Sequence, residues 1–210
     1  MRSAAAASAP LPAFPQVEDN LKITGVRFVE MRPTRPVPEY EPAPGSWSTQ
    51  GVEVANPVSI YPKYKPQRSL FRPNGPRVGP FWIEITTDKG IKGYGSGGPG
   101  GRVIVEDHLT RLLMGENALD IERLWDIMWR STMSYGRKGV TVNAISAVDI
   151  ALWDIAGKAF GLPVWRILGG RIHPRIPAYC TGNDIEQHVE FGYTRLKLAL
   201  PHGPADGREG

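Results

Sequence analysis

The stretch GVTVNAISAVDIALWDIAGKAFGLPVWRILGG, residues 139–170, decides the fold of this chain. Apolar side chains recur in it at steps of three and four residues, which predicts a helix of about six turns. These are Val142, Ile145, Val148, Leu152, Ile155 and Ala159. Gly161 can adopt the left-handed conformation after the last turn and Pro163 cannot continue a helix, so the helix should end there. A second short helix is predicted over residues 164–168.

The predicted long helix is apolar on more than one side. Alanines widen its apolar stripe and would let neighbouring backbones come close; they are Ala144, Ala147, Ala151 and Ala156. Asp149, Asp154 and Lys158 supply its few charges. A helix of this composition needs a covering on nearly every side, so we expect it to lie between two layers.

Strand patterns flank the helix in the sequence. LKITGVRFVEMR (21–32) alternates as a strand does, and FWIEITTDKGIKGYGSG (81–97) predicts two strands around the turn at Asp88, Lys89 and Gly90. Together they predict a small three-stranded antiparallel sheet. Helices are predicted over residues 103–114 and 118–132.

The sequence after the helix changes to an α/β pattern. A strand over 175–179, a helix over 184–191 and a strand over 194–200 would place two parallel strands in one sheet, joined by a right-handed crossover. The fold class is therefore an α+β front part followed by the first strands of an α/β part.

A long proline-rich connection occupies residues 33–80. It carries the aromatic residues Trp47, Tyr61, Tyr64 and Phe71. A connection of this length is usually a functional lid or is disordered, and disordered tracts are poor in aromatic residues. We expect a lid over a pocket; the alternative is a loop that only packs against the sheet. Residues 1–20 are predicted to form a disordered tail.

Composition excludes several classes of protein. The chain has 210 residues with 25 basic and 21 acidic ones interspersed, so we expect no nucleic-acid partner. No uninterrupted apolar run approaches the roughly 20 residues that span a bilayer, so we expect no membrane partner. Cys180 is the single cysteine, which predicts a buried structural thiol, no internal disulfide and a cytoplasmic location.

The residues by themselves show no complete active site. Gly93, Gly95 and Gly98 fit the pattern GxGxxG of dinucleotide-binding sites. The preceding hairpin makes their strand antiparallel, so we expect no dinucleotide site there. We expect instead that these glycines close a hairpin and leave its backbone free near a ligand. The four histidines lack metal-ligand spacing, and His108 and His188 are expected on exposed helix faces.

Two sets of residues carry a resemblance to a known family. The run NAISAVDIALWD (143–154), followed by Gly157, Lys158 and GLPVWRILGG, resembles the junction of the enolase superfamily in its mandelate racemase and muconate lactonising branch. NPVSIYPKYKPQRSLF (56–71) and PHGPADGREG (201–210) resemble segments of the L-rhamnonate dehydratases within that branch.

The resemblance implies a fold and a reaction. The fold would be a capping domain over 21–168 followed by the start of a truncated TIM-type barrel over 169–210. Such enzymes remove the proton next to a carboxylate while Mg²⁺ stabilises the enediolate. In the dehydratases a general acid then expels the 3-hydroxyl and leaves a 2-keto-3-deoxy acid. The implied partner is a small sugar acid, and a homo-oligomer is expected.

Three residues match positions that bind substrate in this branch. Arg68 falls on an arginine of the capping domain that contacts substrate, with a surface arginine as the alternative. The loop also carries a substrate-contacting histidine in the family, but residues 31–80 contain none; Trp47 could stack or pack there. Lys197 falls where racemases carry Lys-x-Lys, but the second position is Ala199, which disfavours racemase chemistry. Lys197 could still face the site as a charge; the alternative is a lysine at a strand end that only reaches solvent.

The metal ligands and the catalytic base of the family lie beyond the segment that this chain matches. None can be assigned, so we expect a fragment of an acid-sugar dehydratase that is inactive alone. The alternatives are a non-catalytic binding protein that reuses the capping fold, and another enolase-superfamily enzyme such as a racemase or cycloisomerase.

Overall fold

The computed structural model describes residues 19–32, 34, 57–64, 79–198, 202 and 207–208. Within them the chain forms two compact units. The first holds residues 19–30 and 79–170, and the second holds 31–32, 34, 57–64, 171–198, 202 and 207–208.

A three-stranded antiparallel sheet opens the first unit. Its strands are β1 (Ile23–Val29), β2 (Phe81–Thr87) and β3 (Lys92–Gly97), paired in that order. Gly90 has a φ of 78° in the β2–β3 turn, and its N–H donates to the carbonyl of Thr87 at 3.0 Å. A residue with a side chain is strained at this φ, which explains the glycine. The predicted sheet and its hairpin are confirmed.

Two helical stretches follow the sheet. The first comprises α1 (Arg102–Ile104), a π-helical turn (Val105–Leu109) and α2 (Thr110–Leu113). The Thr110 hydroxyl at the start of α2 donates a hydrogen bond to the carbonyl of Val105 at 2.7 Å. The second is α3 (Ile121–Thr132). It begins three residues later than predicted, because the Asn117 side chain accepts hydrogen bonds from the backbone N–H groups of Leu21 and Leu119 and holds a turn there.

The long helix is α4 (Val140–Phe160), and it packs directly on β3. A Cβ atom added at Gly93 would overlap the carbonyl oxygen of Ala151, and one added at Gly95 would overlap that of Ala147. The alanines of α4 and the glycines of β3 therefore let two backbones touch. The expectation that Gly93 and Gly95 free backbone near a ligand is wrong, because α4 fills the space that they leave.

Two polar side chains join α4 to the free edge of β3. The Asp154 carboxylate accepts a hydrogen bond from the backbone N–H of Tyr94 at 2.9 Å. The Lys158 ammonium donates to the carbonyl of Lys92 and to Asp154, each at 2.6 Å. Open strand edges invite association with other chains, and here α4 covers this one.

The end of α4 follows the sequence prediction. Gly161 has a φ of 63°, and the Leu162 N–H donates to the carbonyl of Gly157 at 2.9 Å. A short helix, α5 (Val164–Ile167), comes next. The expectation of cover on nearly every side is wrong for the first unit, because the side chains of Val140, Ile150 and Phe160 are each at least two-fifths exposed.

By length and composition alone, α4 could cross a bilayer, although Asp149 and Asp154 interrupt its apolar run. Its most apolar 18-residue window has a mean hydropathy of 1.3, and 56% of that window is buried in the structure. The core helix of a soluble protein passes the same test.

The second unit contains a strand, a helix and a strand: β4 (Cys180–Thr181), α6 (Ile185–Glu190) and β5 (Leu196–Lys197). The strands pair in parallel, as predicted. The predicted strand over 175–179 is wrong: β4 starts at Cys180, whose N–H donates to the carbonyl of Arg195 at 3.0 Å. Pro177 has no N–H to give to a ladder, which explains why pairing starts after it. Cys180 is half-buried, not buried as expected.

Two 3₁₀ turns, Pro57–Ile60 and Pro62–Tyr64, lie in the predicted lid. Of the remaining lid, only residues 34, 61, 79 and 80 are described, and residues 1–18 of the predicted tail also lie outside the described residues.

Candidate functional site

The three predicted substrate-binding residues fall in different parts of the chain. Arg68 and Trp47 lie outside the described residues. Lys197 is described, so it is the one position that the structure places. Because two of the three lie outside the described residues, their shared site stays a prediction.

Lys197 ends β5, beside the carboxyl end of β4. Its backbone carbonyl accepts a hydrogen bond from the N–H of Gly182 at 3.0 Å, and its side chain is exposed. Enzymes built on parallel barrels place their reacting groups at this end of the strands. The structure thus places Lys197 at a strand end with its side chain exposed.

The magnesium ion implied by the resemblance was tested against the described residues. No group of three or more His, Cys, Asp or Glu side chains among them could hold a metal ion. Mg²⁺ takes oxygen ligands, several of them carboxylates. The described part of the chain therefore does not fit the ion.

The histidines lie differently from the sequence expectation. His188 on α6 is 6% exposed, and its Nδ1 atom is buried without a hydrogen-bond partner, so its predicted place on an exposed face is wrong. His108 is half-buried in the π-helical turn, where Nδ1 lies within hydrogen-bond distance of the Tyr135 hydroxyl. Periodicity could not show this, because the π turn rotates His108 out of the α-helical register.

A polar network that sequence reasoning missed crosses the sheet face opposite α4. The buried carboxylate of Glu84 on β2 accepts hydrogen bonds from Arg27 Nε at 2.8 Å and from the Tyr94 hydroxyl at 2.9 Å. The Lys92 Nζ atom lies 3.4 Å from the Glu84 Oε1 atom. Residues 27, 84 and 94 are direct cross-strand neighbours on β1, β2 and β3. The alternation of β2 places Glu84 on this face, but only the register of β1 brings Arg27 to it.

The hydrogen bonds of this network shift the pKa values of Glu84 and Tyr94. The hydrogen bond from Arg27 lowers the pKa of Glu84 to about 2, against the opposing effect of burial. The hydrogen bond to Glu84 raises the pKa of Tyr94, so this phenol stays protonated. An ionised, fully paired carboxylate is a poor general base, so we assign the network a structural role.

An open groove lies between the start of α3 and the last turns of α4. Its volume is about 510 Å³, and its lining includes Ile121, Trp153, Phe160 and Ile167 with the charged Glu122 and Arg123. Asp149 is half-buried nearby; burial and the charge of Glu122 raise its pKa, while a hydrogen bond from Trp153 opposes the shift. The groove has an apolar floor with an acidic edge and no constellation of nucleophile and base.

Residues 80–169 match the N-terminal domain model of the mandelate racemase and muconate lactonizing enzymes. This part of the chain is therefore similar to the N-terminal domain of these enzymes. The match covers β2 to α5, including the contact between β3 and α4. The resemblance noted in residues 143–154 is thereby confirmed.

Two of the similar proteins bear the name L-rhamnonate dehydratase, one of them as a candidate. A candidate L-rhamnonate dehydratase of Caldivirga maquilingensis is 42% identical over 159 residues, which cover 75% of this chain and 39% of that protein. The crystal structure of L-rhamnonate dehydratase from Gibberella zeae is 31% identical with a TM-score of 0.73, covering 93% of this chain and 46% of that one.

A second structure of the Gibberella zeae enzyme was solved in complex with Mg. It is 31% identical with a TM-score of 0.73, and the match covers 92% of this chain and 48% of that one. This chain therefore spans less than half the length of the relatives that it matches.

Proposed function

We propose that this chain supplies the capping domain of an acid-sugar dehydratase, a hydro-lyase that acts on L-rhamnonate or a related sugar acid. The proton next to the substrate carboxylate is removed, the 3-hydroxyl leaves as water, and the product is a 2-keto-3-deoxy acid. The observation that carries the proposal is the 42% identity with the Caldivirga maquilingensis protein over 159 residues.

The part of this chain in the reaction is to bind and enclose substrate. Arg68 in the lid binds the carboxylate or a pair of hydroxyls through its planar fork. Trp47 packs over the substrate in the same lid. Lys197 contributes positive charge at the strand ends of residues 171–198, which form the beginning of a barrel in this proposal. The compartment is the cytoplasm.

The experiment is a chimera. The segment of the Gibberella zeae enzyme that this chain matches is replaced by the chain itself, and 2-keto-3-deoxy acid is detected as its semicarbazone with L-rhamnonate and with its stereoisomers. We expect product from L-rhamnonate or a close stereoisomer, with the unmodified enzyme as positive control. The purified chain with magnesium serves as a second control and should form no product, because its described residues hold no metal site.

A chimera that is folded by circular dichroism but releases no keto acid from any sugar acid tested would contradict the proposal. Racemisation or cyclisation of substrate without loss of water would also contradict it, in favour of another enzyme class of the superfamily.

A further inference from the structure

The open groove between the start of α3 and the last turns of α4 is a surface that the proposed function does not use. Its floor includes the apolar side chains of Ile121, Trp153, Phe160 and Ile167. Phe160 is 40% exposed, and Trp153 and Ile167 are half-buried. The volume of about 510 Å³ lies in the range of pockets that hold a ligand. The groove therefore has room for several apolar side chains.

The rim of this groove is acidic. Asp120, Glu122 and Arg123 line it, and the Arg123 guanidinium is paired with the Glu116 carboxylate. Three carboxylates thus stand against one guanidinium. A segment that binds here should carry apolar side chains and should be basic, because opposite charges attract across an interface and like charges disfavour it.

The described part of the chain begins at this rim. Lys22 forms an antiparallel bridge with Asn117, and the Asn117 side-chain amide donates a hydrogen bond to the carbonyl of Asp19 at 2.8 Å. In an antiparallel pair, the residues before one partner run alongside the residues after the other. The chain before Lys22 therefore runs beside Leu119 and Asp120, which both line the groove.

The sequence before Asp19 has the composition that the groove requires. PLPAFPQV (10–17) contains Leu11, Phe14 and Val17 at intervals of three residues. Leu11 and Phe14 each precede a proline, which disfavours helix and favours polyproline II. That conformation has three residues per turn, so the three apolar side chains would share one face. Residues 1–17 contain Arg2 and no Asp or Glu.

We infer that residues 10–17 bind in the groove of their own chain as a polyproline II segment, with their apolar face against Trp153 and Phe160. Aromatic-lined grooves recognise such segments in this way. The five steps from Phe14 to Asp19 span up to about 17 Å, which is enough to enter the groove from its rim. A tethered segment has an effective concentration of about millimolar, so even a weak contact is populated.

The inference agrees with the disorder predicted for this tail from its composition. By itself the segment has too little apolar surface to bury against its own residues. The groove supplies the missing surface, and prolines reduce the conformational entropy that is lost on binding.

The test is paramagnetic line broadening in the full chain. Ala13→Cys carries a nitroxide label in a Cys180→Ser background, and the isoleucine methyl groups are observed by NMR. The same sample after reduction of the nitroxide gives the unbroadened reference spectrum. We expect the label to broaden the methyl resonances of Ile121 and Ile167, which line the groove.

Ile104 on α1 is the internal control and should stay sharp. A Cβ atom added at Gly101, just before α1, would lie 3.0 Å from the backbone nitrogen of Ala144, so α1 packs near the start of α4. Ala144 is separated from Phe160 by about 24 Å along the helix axis. The control thus lies far from the groove in the same compact unit.

Two tail variants separate binding from mere proximity of a tethered chain. Phe14→Ser should weaken docking at least ~10-fold, as expected for the loss of one buried phenylalanine side chain, and should reduce the broadening accordingly. Gln16→Ser is the matched control and should leave the broadening unchanged, because residue 16 is not on the apolar face.

Three results would overturn the inference. The first is a label that leaves Ile121 and Ile167 as sharp as Ile104. The second is equal broadening with Phe14→Ser and without it, which would mean that the tail is near the groove but not bound in it. The third is broadening in a mixture of labelled chain without isotopes and isotope-enriched chain without a label, which would mean that the segment comes from a second copy.

Discussion

The ionisation of the buried Glu84 carboxylate depends on its hydrogen-bond partners. Its side chain is 3% exposed, while that of Arg27 is 64% exposed, so solvent screens part of the ion pair. The folded-state pKa of about 2 lies below the ordinary value of 4.5. The stabilisation is therefore fully present above about pH 4.5 and is lost as the pH falls through about 2.

The prediction for Glu84 is a pH dependence. The free energy of unfolding should fall by about 1 to 2 kcal/mol more in wild type than in Glu84→Gln between pH 5 and pH 2, after discounting for screening. Urea titrations of both proteins at a series of pH values measure the difference. Parallel pH profiles would show that Glu84 is not held ionised by Arg27.

Arg68 carries the prediction for substrate binding. In the chimera, Arg68→Ala should lower kcat/KM about 100-fold, which corresponds to roughly 2 to 3 kcal/mol for a charged hydrogen bond. Arg68→Lys should not restore activity, because an ammonium cannot make two parallel hydrogen bonds. Arg72→Ala, in the same loop, is the matched control and should keep kcat/KM within about twofold. Equal kinetics for the two alanine variants would leave Arg68 as an ordinary surface residue.

At the scale of elements, the contact between β3 and α4 holds the first unit together. Gly95→Ala should destabilise the chain by about 2 kcal/mol or more, because its methyl group would overlap the Ala147 carbonyl and two packed backbones must separate. Gly25→Ala on β1 is the control, since its added Cβ meets nothing within 4 Å. Thermal unfolding of both variants gives the comparison. Equal midpoints would mean that β3 and α4 are not in backbone contact.

The same contact shows what the sequence could predict about these elements. The alanines of α4 predicted a close approach and the glycines of β3 predicted a free backbone, and the structure joins the two features into one interface. Periodicity located α4 and its end because Gly161 and Pro163 act on neighbouring residues. Periodicity predicted strand β4 too early, over 175–179, because Pro177 cannot donate a backbone hydrogen bond. It also predicted an exposed position for His188, whose burial depends on residues distant in sequence.

The candidate site was less predictable for a physical reason. Its residues come from separate segments, and only the fold decides which of them meet. The family resemblance drew attention to Lys197; the local pattern predicted a strand over 194–200, whereas β5 ends at Lys197. The network of Glu84 depends on a register between strands that are 57 residues apart, and no local signal specifies that register.

At the scale of the whole molecule, the two units differ in how much they bury. The fully buried apolar side chains belong to the first unit, from Leu21 to Ala156 among the described residues. In the second unit β4 and β5 have two residues each, and the side chains of Ile172 and Ile176 are 89% and 83% exposed. Few buried contacts mean a low free energy of local opening.

We expect the first unit to be a self-supporting domain to which the second unit adds little stability. Hydrogen exchange of the purified chain tests it most directly. We predict slow exchange of the backbone amides of β2, β3 and α4, including Tyr94, and exchange at least ~100-fold faster through residues 175–198, since the first group opens only with global unfolding. Equally slow exchange through residues 175–198 in a monodisperse sample would contradict the claim and show that both units unfold together.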